Sequence, residues 1–170
     1  QELFPKLCGQ ARRDWRNISG IILDLDHFKK INDDHGHLAG DQVLINFSDI
    51  LKKHLRSNDF LFRLGGEEFL LISINKDESG SVTIAEKVRA ATEKSVVTYN
   101  GIEMSITVSC GISSLKPSQS DNVSLHPALL SQADEALYEA KNLGRNRVCV
   151  YTEKTEDKVQ SITRDQSSNT

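Results

Sequence analysis

The sequence contains little cysteine and little proline, with three residues of each among 170. No two of the cysteines have the C-x-x-C spacing of a zinc or redox site. So odd and sparse a set argues against a disulfide framework and indicates a reducing compartment. No apolar run approaches the roughly 20 residues that a membrane-spanning helix needs, and the first residues do not resemble a signal peptide. We therefore expect a cytoplasmic domain, whose parent protein is free to carry a membrane anchor elsewhere.

An excess of positive charge is also missing. The formal net charge is −3, whereas a protein that binds nucleic-acid polymers is usually basic, so we expect no such polymer as a partner. The sequence is 38% hydrophobic and 26% charged, as in one globular domain. We expect an N-terminal helix or linker at residues 1–17, a folded domain at 18–151 and a polar tail at 152–170. Because the first residue is not Met, we also expect the chain to be a piece of a longer protein.

Hydrophobic periodicity predicts an α+β domain. Apolar residues recur at three- and four-residue steps in the predicted helices 41–56, 81–94 and 127–143. Shorter apolar or alternating runs predict the strands 18–25, 60–64, 67–72, 96–99, 102–112 and 147–151. The segment 31–40, rich in Asn, Asp, His and Gly, is expected to be a loop. The order β-α-β-β-α-β predicts a ferredoxin-like core with helices on one face of a mainly antiparallel sheet, plus an extra hairpin and a C-terminal helix and strand.

Two tight turns are predicted between strands. Gly65 and Gly66 occupy the first, and we expect positive φ at both because glycine adopts it at the lowest cost. Asn100 and Gly101 form the second, which is the strongest short hairpin signal. Both turns therefore predict antiparallel hairpins.

Two acidic clusters lie beside these predicted strands. Asp24 and Asp26 come at the end of a buried strand, and Glu67 and Glu68 follow the Gly-Gly turn. In a ferredoxin-like sheet the two strands are neighbours, so the carboxylates meet and repel one another, and protons or divalent cations must relieve the repulsion. At neutral pH a hard cation such as Mg²⁺ is favoured, in the layout that serves in-line attack of a hydroxyl on an α-phosphate. The alternative is that these acids only end a strand and keep a hairpin soluble.

Four segments together resemble the GGDEF family of diguanylate cyclases. They are residues 24–33 (DLDHFKKIND), 36–41 (GH followed by GD), 63–69 (RLGGEEF) and 140–146 (AKNLGRN). The sequence GGEEF is an accepted form of the motif that names the family, and the resemblance covers about 18–151. It implies the palm-like version of the ferredoxin-like fold that nucleotidyl cyclases share. The family's usual upstream block, Asp-x-Leu-Thr-x-Leu-x-Asn-Arg, is not recognisable before Ile18.

The resemblance implies a metal site and two catalytic acids. The Asp24 side chain, the Leu25 backbone carbonyl and Glu67 would hold one or two Mg²⁺ ions, with Mn²⁺ as an alternative ion. Glu67 and Glu68 would be catalytic, Glu67 as the family's proposed general base and Glu68 as a further acid beside the metals. Most of the acceleration is then expected from the metal ions, which lower the pKa of the attacking hydroxyl and neutralise developing charge.

The resemblance also implies a nucleotide site. Asn32 and Asp41 would bind the guanine edge, where adenine offers no matching pair of donors; turn formation and helix capping are the alternatives for these two residues. Lys29, Lys141 and Arg145 would bind phosphates. Lys141 and Arg145 are predicted at the end of a helix, where cations are favourable even without a ligand.

The implied reaction joins two GTP molecules into cyclic di-GMP and releases two pyrophosphates. Because one site holds one GTP, a homodimer is required, and an upstream sensory or dimerisation domain is expected in the full-length protein. Arg56 and Asp59 match the family's R-x-x-D inhibitory site, where the product would bind; a helix-end Arg beside a loop Asp is the alternative.

Two other functions remain open at this point. A catalytically silent domain would sense cyclic di-GMP through Arg56 and Asp59, although such a receptor does not need a metal cluster. A structural dimerisation domain would leave both charged sites unexplained.

Overall fold

The structure is a computed structural model that describes residues 3–117 and 125–153. The elements in chain order are α1 (Leu3–Arg13), β1 (Asn17–Leu25), α2 (Phe28–His35), α3 (His37–His54), β2 (Phe60–Gly65), β3 (Glu68–Asn75), α4 (Ser79–Lys94), β4 (Val97–Tyr99), β5 (Ile102–Met104), β6 (Val108–Leu115), α5 (Leu125–Asn142) and β7 (Val148–Val150).

The five strands of the main sheet have the order β2-β3-β1-β6-β7. All neighbours are antiparallel except β6 and β7, which are parallel. The short strands β4 and β5 form a separate hairpin. The predicted α+β class, with a mainly antiparallel sheet, an extra hairpin and a C-terminal helix and strand, is confirmed. The almost continuously apolar β1 lies at the centre, as expected for a strand that is covered on both sides.

The helices cover both faces of this sheet, so the expectation of one covered face was wrong. Ile21, Leu23 and Leu25 of β1 share one core with α2, α3 and α4. Ile18 and Ile22 point to the other face and share a second core with α1 and α5. The regular alternation in β6 was misleading, because its small residues are covered as well as its apolar ones.

Gly111 in β6 explains how α5 approaches the sheet so closely. A Cβ at this position would lie 2.2 Å from the Ala133 carbonyl oxygen and 2.2 Å from the Leu137 nitrogen, both in the backbone of α5. Glycine therefore allows the helix backbone to rest directly on the strand. This contact therefore determines how closely α5, the helix that carries Lys141, lies against the sheet.

The predicted loop at 31–40 is instead helical, which corrects that expectation. Helices α2 and α3 meet at Gly36, whose φ of 84° ends one helix and starts the next. Phe28 in α2 and Ala39 in α3 are buried in the core. This burial outweighs the weak helix propensity of the polar residues between them.

The two predicted turns differ in geometry. Asn100 and Gly101 both have positive φ, as expected for the hairpin between β4 and β5. At the other turn only Gly66 does, with φ 30°, so positive φ at Gly65 was wrong. Gly65 is still part of β2, where the register with β3 shifts between Arg63 and Gly65.

The predicted strand 102–112 is broken at 105–107. Its two parts belong to different sheets, because β5 pairs with β4 and β6 pairs with β1. Between them the Thr107 carbonyl accepts a hydrogen bond of 2.8 Å from the Asp26 backbone N–H. The break therefore places Thr107 directly beyond the end of β1.

The two ends of the chain were predicted to lie outside the folded domain. Helix α1 packs Leu7, Cys8 and Ala11 into the second core, so it is part of the folded unit. The proposed division at residue 17 stays a prediction. Most of the predicted polar tail, from residue 154, lies outside the described residues. Within the ranges 3–117 and 125–153, the helices are too short or too polar to cross a membrane.

Candidate active site

The two acidic clusters meet at the end of β1. In the antiparallel pairing of β1 with β3, Asp24 lies opposite Glu68. The Leu25 backbone N–H donates a 3.3 Å hydrogen bond to the Glu67 carbonyl oxygen. The central position of β1 thus brings together residues from two distant parts of the sequence.

Two of these carboxyl groups have raised pKa values. Burial raises the pKa of Asp24, and the negative charges of Glu67 and Asp26 add to the rise, while Lys141 opposes it. Burial also raises the pKa of Glu68, assisted by Asp24 among other acids. Both shifts reflect the cost of keeping several carboxylates together and away from water.

A cation from the last turn of α5 partly offsets this cost. The Lys141 Nζ lies 3.0 Å from the Asp24 Oδ2, and the two side chains are 33% and 17% exposed. Repulsion between the acids is therefore relieved in part by a lysine, a contact that was not predicted from the sequence.

Asp26 differs from the other acids because its carboxylate is already engaged. The side chain is buried, its Oδ1 accepts a 2.7 Å hydrogen bond from the Ser109 hydroxyl, and its Oδ2 accepts a 2.7 Å bond from the Thr107 hydroxyl. The Asn146 backbone N–H donates a further bond of 3.1 Å to Oδ2. Asp26 thus belongs to a structural network and not to an open acidic cluster.

The acids at the end of β1 fit a magnesium ion that takes its remaining ligands from water or phosphate. In the described part of the chain, no three His, Cys, Asp or Glu side chains form a group that could hold a metal. Mg²⁺ needs fewer protein ligands, since it typically binds one or two carboxylates together with water and phosphate oxygens. Asp24 lies near enough to Glu67 for the two negative charges to repel, so the pair fits the one or two carboxylates that Mg²⁺ requires.

Asn32 and Asp41 lie on neighbouring helices on the same side of the fold. A Cβ at Gly40 would lie 2.0 Å from the Asn32 Oδ1, so the Asn32 side chain packs directly against α3 beside Asp41. Asp41 does not cap α3, because that helix begins at His37. Asn32 lies inside α2 and does not form a turn. Both local alternatives for these residues were therefore wrong.

The three predicted phosphate-binding residues have different settings. Lys29 is exposed on α2, and Lys141 pairs with Asp24. Arg145 is exposed just beyond α5 and has a φ of 64°. Only Lys141 is joined to the acidic cluster by a contact with one of its side chains.

Arg56 and Asp59, the predicted product site, lie at the opposite end of β3. Asp59 accepts a 2.8 Å bond from the Arg56 backbone N–H and a 2.7 Å bond from the Ser73 hydroxyl. The Arg56 guanidinium donates a 3.2 Å bond to the Asn75 side-chain oxygen. Asn75 in turn donates to Ser73 and to Ser81, at 3.0 and 2.8 Å. The exposed Arg56 and the half-buried Asp59 are thus held by a network whose inner members, Ser73, Asn75 and Ser81, are buried.

Sequence reasoning missed the polar residues that support these two sites. Ser73 and Asn75 lie beyond the predicted end of their strand at residue 72, and their separation by two residues on one strand face is the signal that could have found them. For Thr107, Ser109 and Asn146 no local signal exists, because their common partner Asp26 is distant in sequence.

A mainly antiparallel sheet with helices on both faces and acids at the end of its central strand defines a palm-like α+β domain. Residues 1–147 match the family described as "Diguanylate cyclase, GGDEF domain". The chain therefore belongs to the GGDEF family.

Named relatives agree with this assignment. Diguanylate cyclase A of Treponema denticola is 40% identical over 77% of this chain, and diguanylate cyclase DgcP of Pseudomonas aeruginosa is 40% identical over 86%. The matches cover 34% and 21% of those proteins, so the chain spans about a third and a fifth of their length.

Solved structures of the family resemble the fold. The GGDEF domain of DgcB from Caulobacter crescentus, in complex with c-di-GMP, has a TM-score of 0.77 and 32% identity, covering 86% of this chain and 85% of that one. The active GGEEF domain of a Vibrio cholerae diguanylate cyclase has a TM-score of 0.75 and 31% identity, covering 86% and 90%.

Proposed function

We propose that this chain is the catalytic domain of a diguanylate cyclase, which condenses two GTP molecules into cyclic di-GMP and releases two pyrophosphates. The observation that carries this proposal is the 3.0 Å contact between Lys141 and Asp24. It joins the Lys141 ammonium group of α5, which is suited to bind phosphate, to the Asp24 carboxylate of β1, which is suited to bind Mg²⁺. A triphosphate with its magnesium ion carries both complementary charges.

Asp24, Glu67 and the Leu25 carbonyl are the proposed metal ligands. When bound, Mg²⁺ lowers the pKa of the attacking 3′-hydroxyl and neutralises charge on the α-phosphate. Glu67 and Glu68 are the proposed catalytic carboxylates: Glu67 acts as the general base that receives the hydroxyl proton, and Glu68 adds negative charge beside the ligand set. Mn²⁺ has similar ligand preferences and is expected to replace Mg²⁺.

The remaining residues select and orient GTP. Lys141, Arg145 and Lys29 are proposed to bind the phosphates as cations. Asn32 and Asp41 are proposed to bind the guanine edge, where a carboxylate accepts from the N1 and N2 donors. Adenine lacks this donor pair, so ATP would leave Asp41 without a partner.

The reaction requires two copies of the domain. Each site is proposed to bind one GTP, so each 3′-hydroxyl must reach the α-phosphate held by the other copy. A homodimer is therefore expected during catalysis, and a further domain of a longer protein is expected to bring the copies together. The product is proposed to bind Arg56 and Asp59, which supports inhibition by cyclic di-GMP.

Incubation with GTP and Mg²⁺ at high protein concentration, or as a fusion to a dimerising coiled coil, tests the proposal. Chromatography should show cyclic di-GMP for the natural sequence and none for Glu67→Gln. Glu103→Gln is a matched control, because Glu103 is an exposed acid on β5. If the forced dimer forms no product but binds cyclic di-GMP, the proposed cyclase is wrong and the chain is a catalytically silent receptor.

A further inference from the structure

We infer that Asp26 and Asn146 are positioning residues for the phosphate side of the active site. Together they hold the loop after α5, residues 143–147, against the end of β1. Arg145 lies in this loop, and Asp24 lies two residues before Asp26. The inference rests on the proposed function, because it concerns how that site binds a triphosphate.

Asp26 connects three parts of the fold. It follows β1, it accepts hydrogen bonds from Thr107 just before β6 and from Ser109 in β6, and it accepts a hydrogen bond from the Asn146 N–H of the loop. Among the described residues, the ion pairs include no Lys or Arg partner for its buried carboxylate. Three donors therefore stabilise this charge, and bonds to a charged acceptor are about twice as strong as neutral ones.

Asn146 fastens the same loop to α4. Its side-chain oxygen accepts a 2.9 Å bond from the Arg89 guanidinium, and its side-chain nitrogen donates a 2.8 Å bond to Glu93. Arg89 is itself paired with Glu86 and Glu93 at 2.8 and 2.9 Å. The backbone and the side chain of one residue thus tie the loop to two different elements.

The backbone of this loop requires such support. Gly144, Arg145 and Asn146 have consecutive positive φ values of 111°, 64° and 47°. Non-glycine residues in this region cost free energy and persist only where surrounding contacts hold them. Arg145 is the residue between Gly144 and the anchored Asn146. The bond to Asp26 therefore maintains a backbone conformation that carries a proposed phosphate ligand.

A side chain that only connected β1, β6 and the loop would not need to be a buried carboxylate like that of Asp26. A neutral side chain could join the strand ends without the cost of removing a charge from water. Because hydrogen bonds to an ionised acceptor are about twice as strong as neutral ones, a carboxylate holds the loop more firmly than a neutral side chain would. This argues for a role in positioning Arg145.

Titration calorimetry with α,β-methylene GTP and Mg²⁺ tests the inference, since this analogue cannot undergo the condensation. Asp26→Asn and Asn146→Gly should each weaken binding by about tenfold, the size of one lost charge-assisted hydrogen bond. Asn146→Gly keeps the positive φ and removes both side-chain bonds. Ser109→Ala is the matched control: it removes a bond to Oδ1 and leaves the Oδ2 contact with Asn146, so affinity should change less than twofold.

The decisive measurement repeats both substitutions in an Arg145→Ala background. If they position Arg145, neither should weaken binding further there. Equal losses in both backgrounds, or no loss in either, would overturn the inference. If Asp26→Asn does not fold, Asn146→Gly, which removes the two side-chain bonds to α4, decides whether the anchoring of the loop positions Arg145. Failure of the unsubstituted chain to bind the analogue would instead contradict the proposed function.

Discussion

Lys141 and Asp24 form an ion pair in which Nζ lies 3.0 Å from Oδ2. The last turn of α5 thereby neutralises a half-buried carboxylate at the end of the central strand. The same two groups are the proposed partners of a phosphate and of a metal ion, so their contact links the two halves of the site.

Replacement of Lys141 by Met should therefore affect metal and nucleotide binding in opposite directions. Without the ammonium group, Asp24 has an uncompensated charge, and Mn²⁺ affinity measured without nucleotide by electron paramagnetic resonance should rise by roughly fivefold, equivalent to about 1 kcal/mol. Affinity for α,β-methylene GTP should fall. Lys52→Met, which removes an exposed pair with Asp49, should change neither. If both affinities changed in the same direction, the proposed roles of Lys141 as phosphate ligand and Asp24 as metal ligand would be contradicted.

Glu68→Gln should stabilise the protein at neutral pH. Burial and neighbouring acids raise the pKa of Glu68 in the folded state, so the native state penalises its ionised form. Its contribution to stability is fully present below the unfolded pKa and is lost as pH rises through the folded pKa. The variant should therefore melt at a higher temperature than the natural sequence at pH 7, with a smaller difference at pH 4. Thermal unfolding between pH 4 and pH 7 measures the difference in melting temperature between the two proteins. A difference that grows towards acid pH would contradict the prediction.

Gly111→Ala should destabilise the fold by at least about 2 kcal/mol, because its new Cβ would collide with the backbone of α5 and neither element can move freely. Urea unfolding measures the change. Gly9→Ala is the control: a Cβ there meets only the flexible end of Arg13, at 3.7 Å, and alanine favours a helix. A loss below about 0.5 kcal/mol for Gly111→Ala would show that α5 does not rest on β6 as described.

Arg56→Ala should reduce affinity for cyclic di-GMP by about tenfold or more, the effect expected for one bidentate contact to guanine. Calorimetry with the purified dinucleotide measures this. Lys53→Ala removes a nearby exposed cation from α3 and should have little effect. Unchanged binding in Arg56→Ala would remove the proposed inhibitory site and leave the proposed cyclase reaction intact.

Local sequence patterns were sufficient for most elements and for the main acidic contact. The apolar run of β1 predicted a central strand, and that position makes Asp24 and Glu68 neighbours. Helix α2 was missed because its polar residues favour loops, whereas burial of Phe28 stabilises it as a helix. The second covered face was missed because Gly111 does not stand out as a packing residue until α5 is placed against it.

The sequence by itself determined the family, the order of most elements and the residues proposed to contact GTP, because these depend on motifs and short-range periodicity. Only the tertiary structure separated Asp24, which pairs with Lys141, from Asp26, which is engaged by hydroxyl and amide donors. These two acids look alike in sequence. Their partners lie as many as 120 positions away along the chain, and packing of β6 and α5 against β1 decides which partner each acid meets.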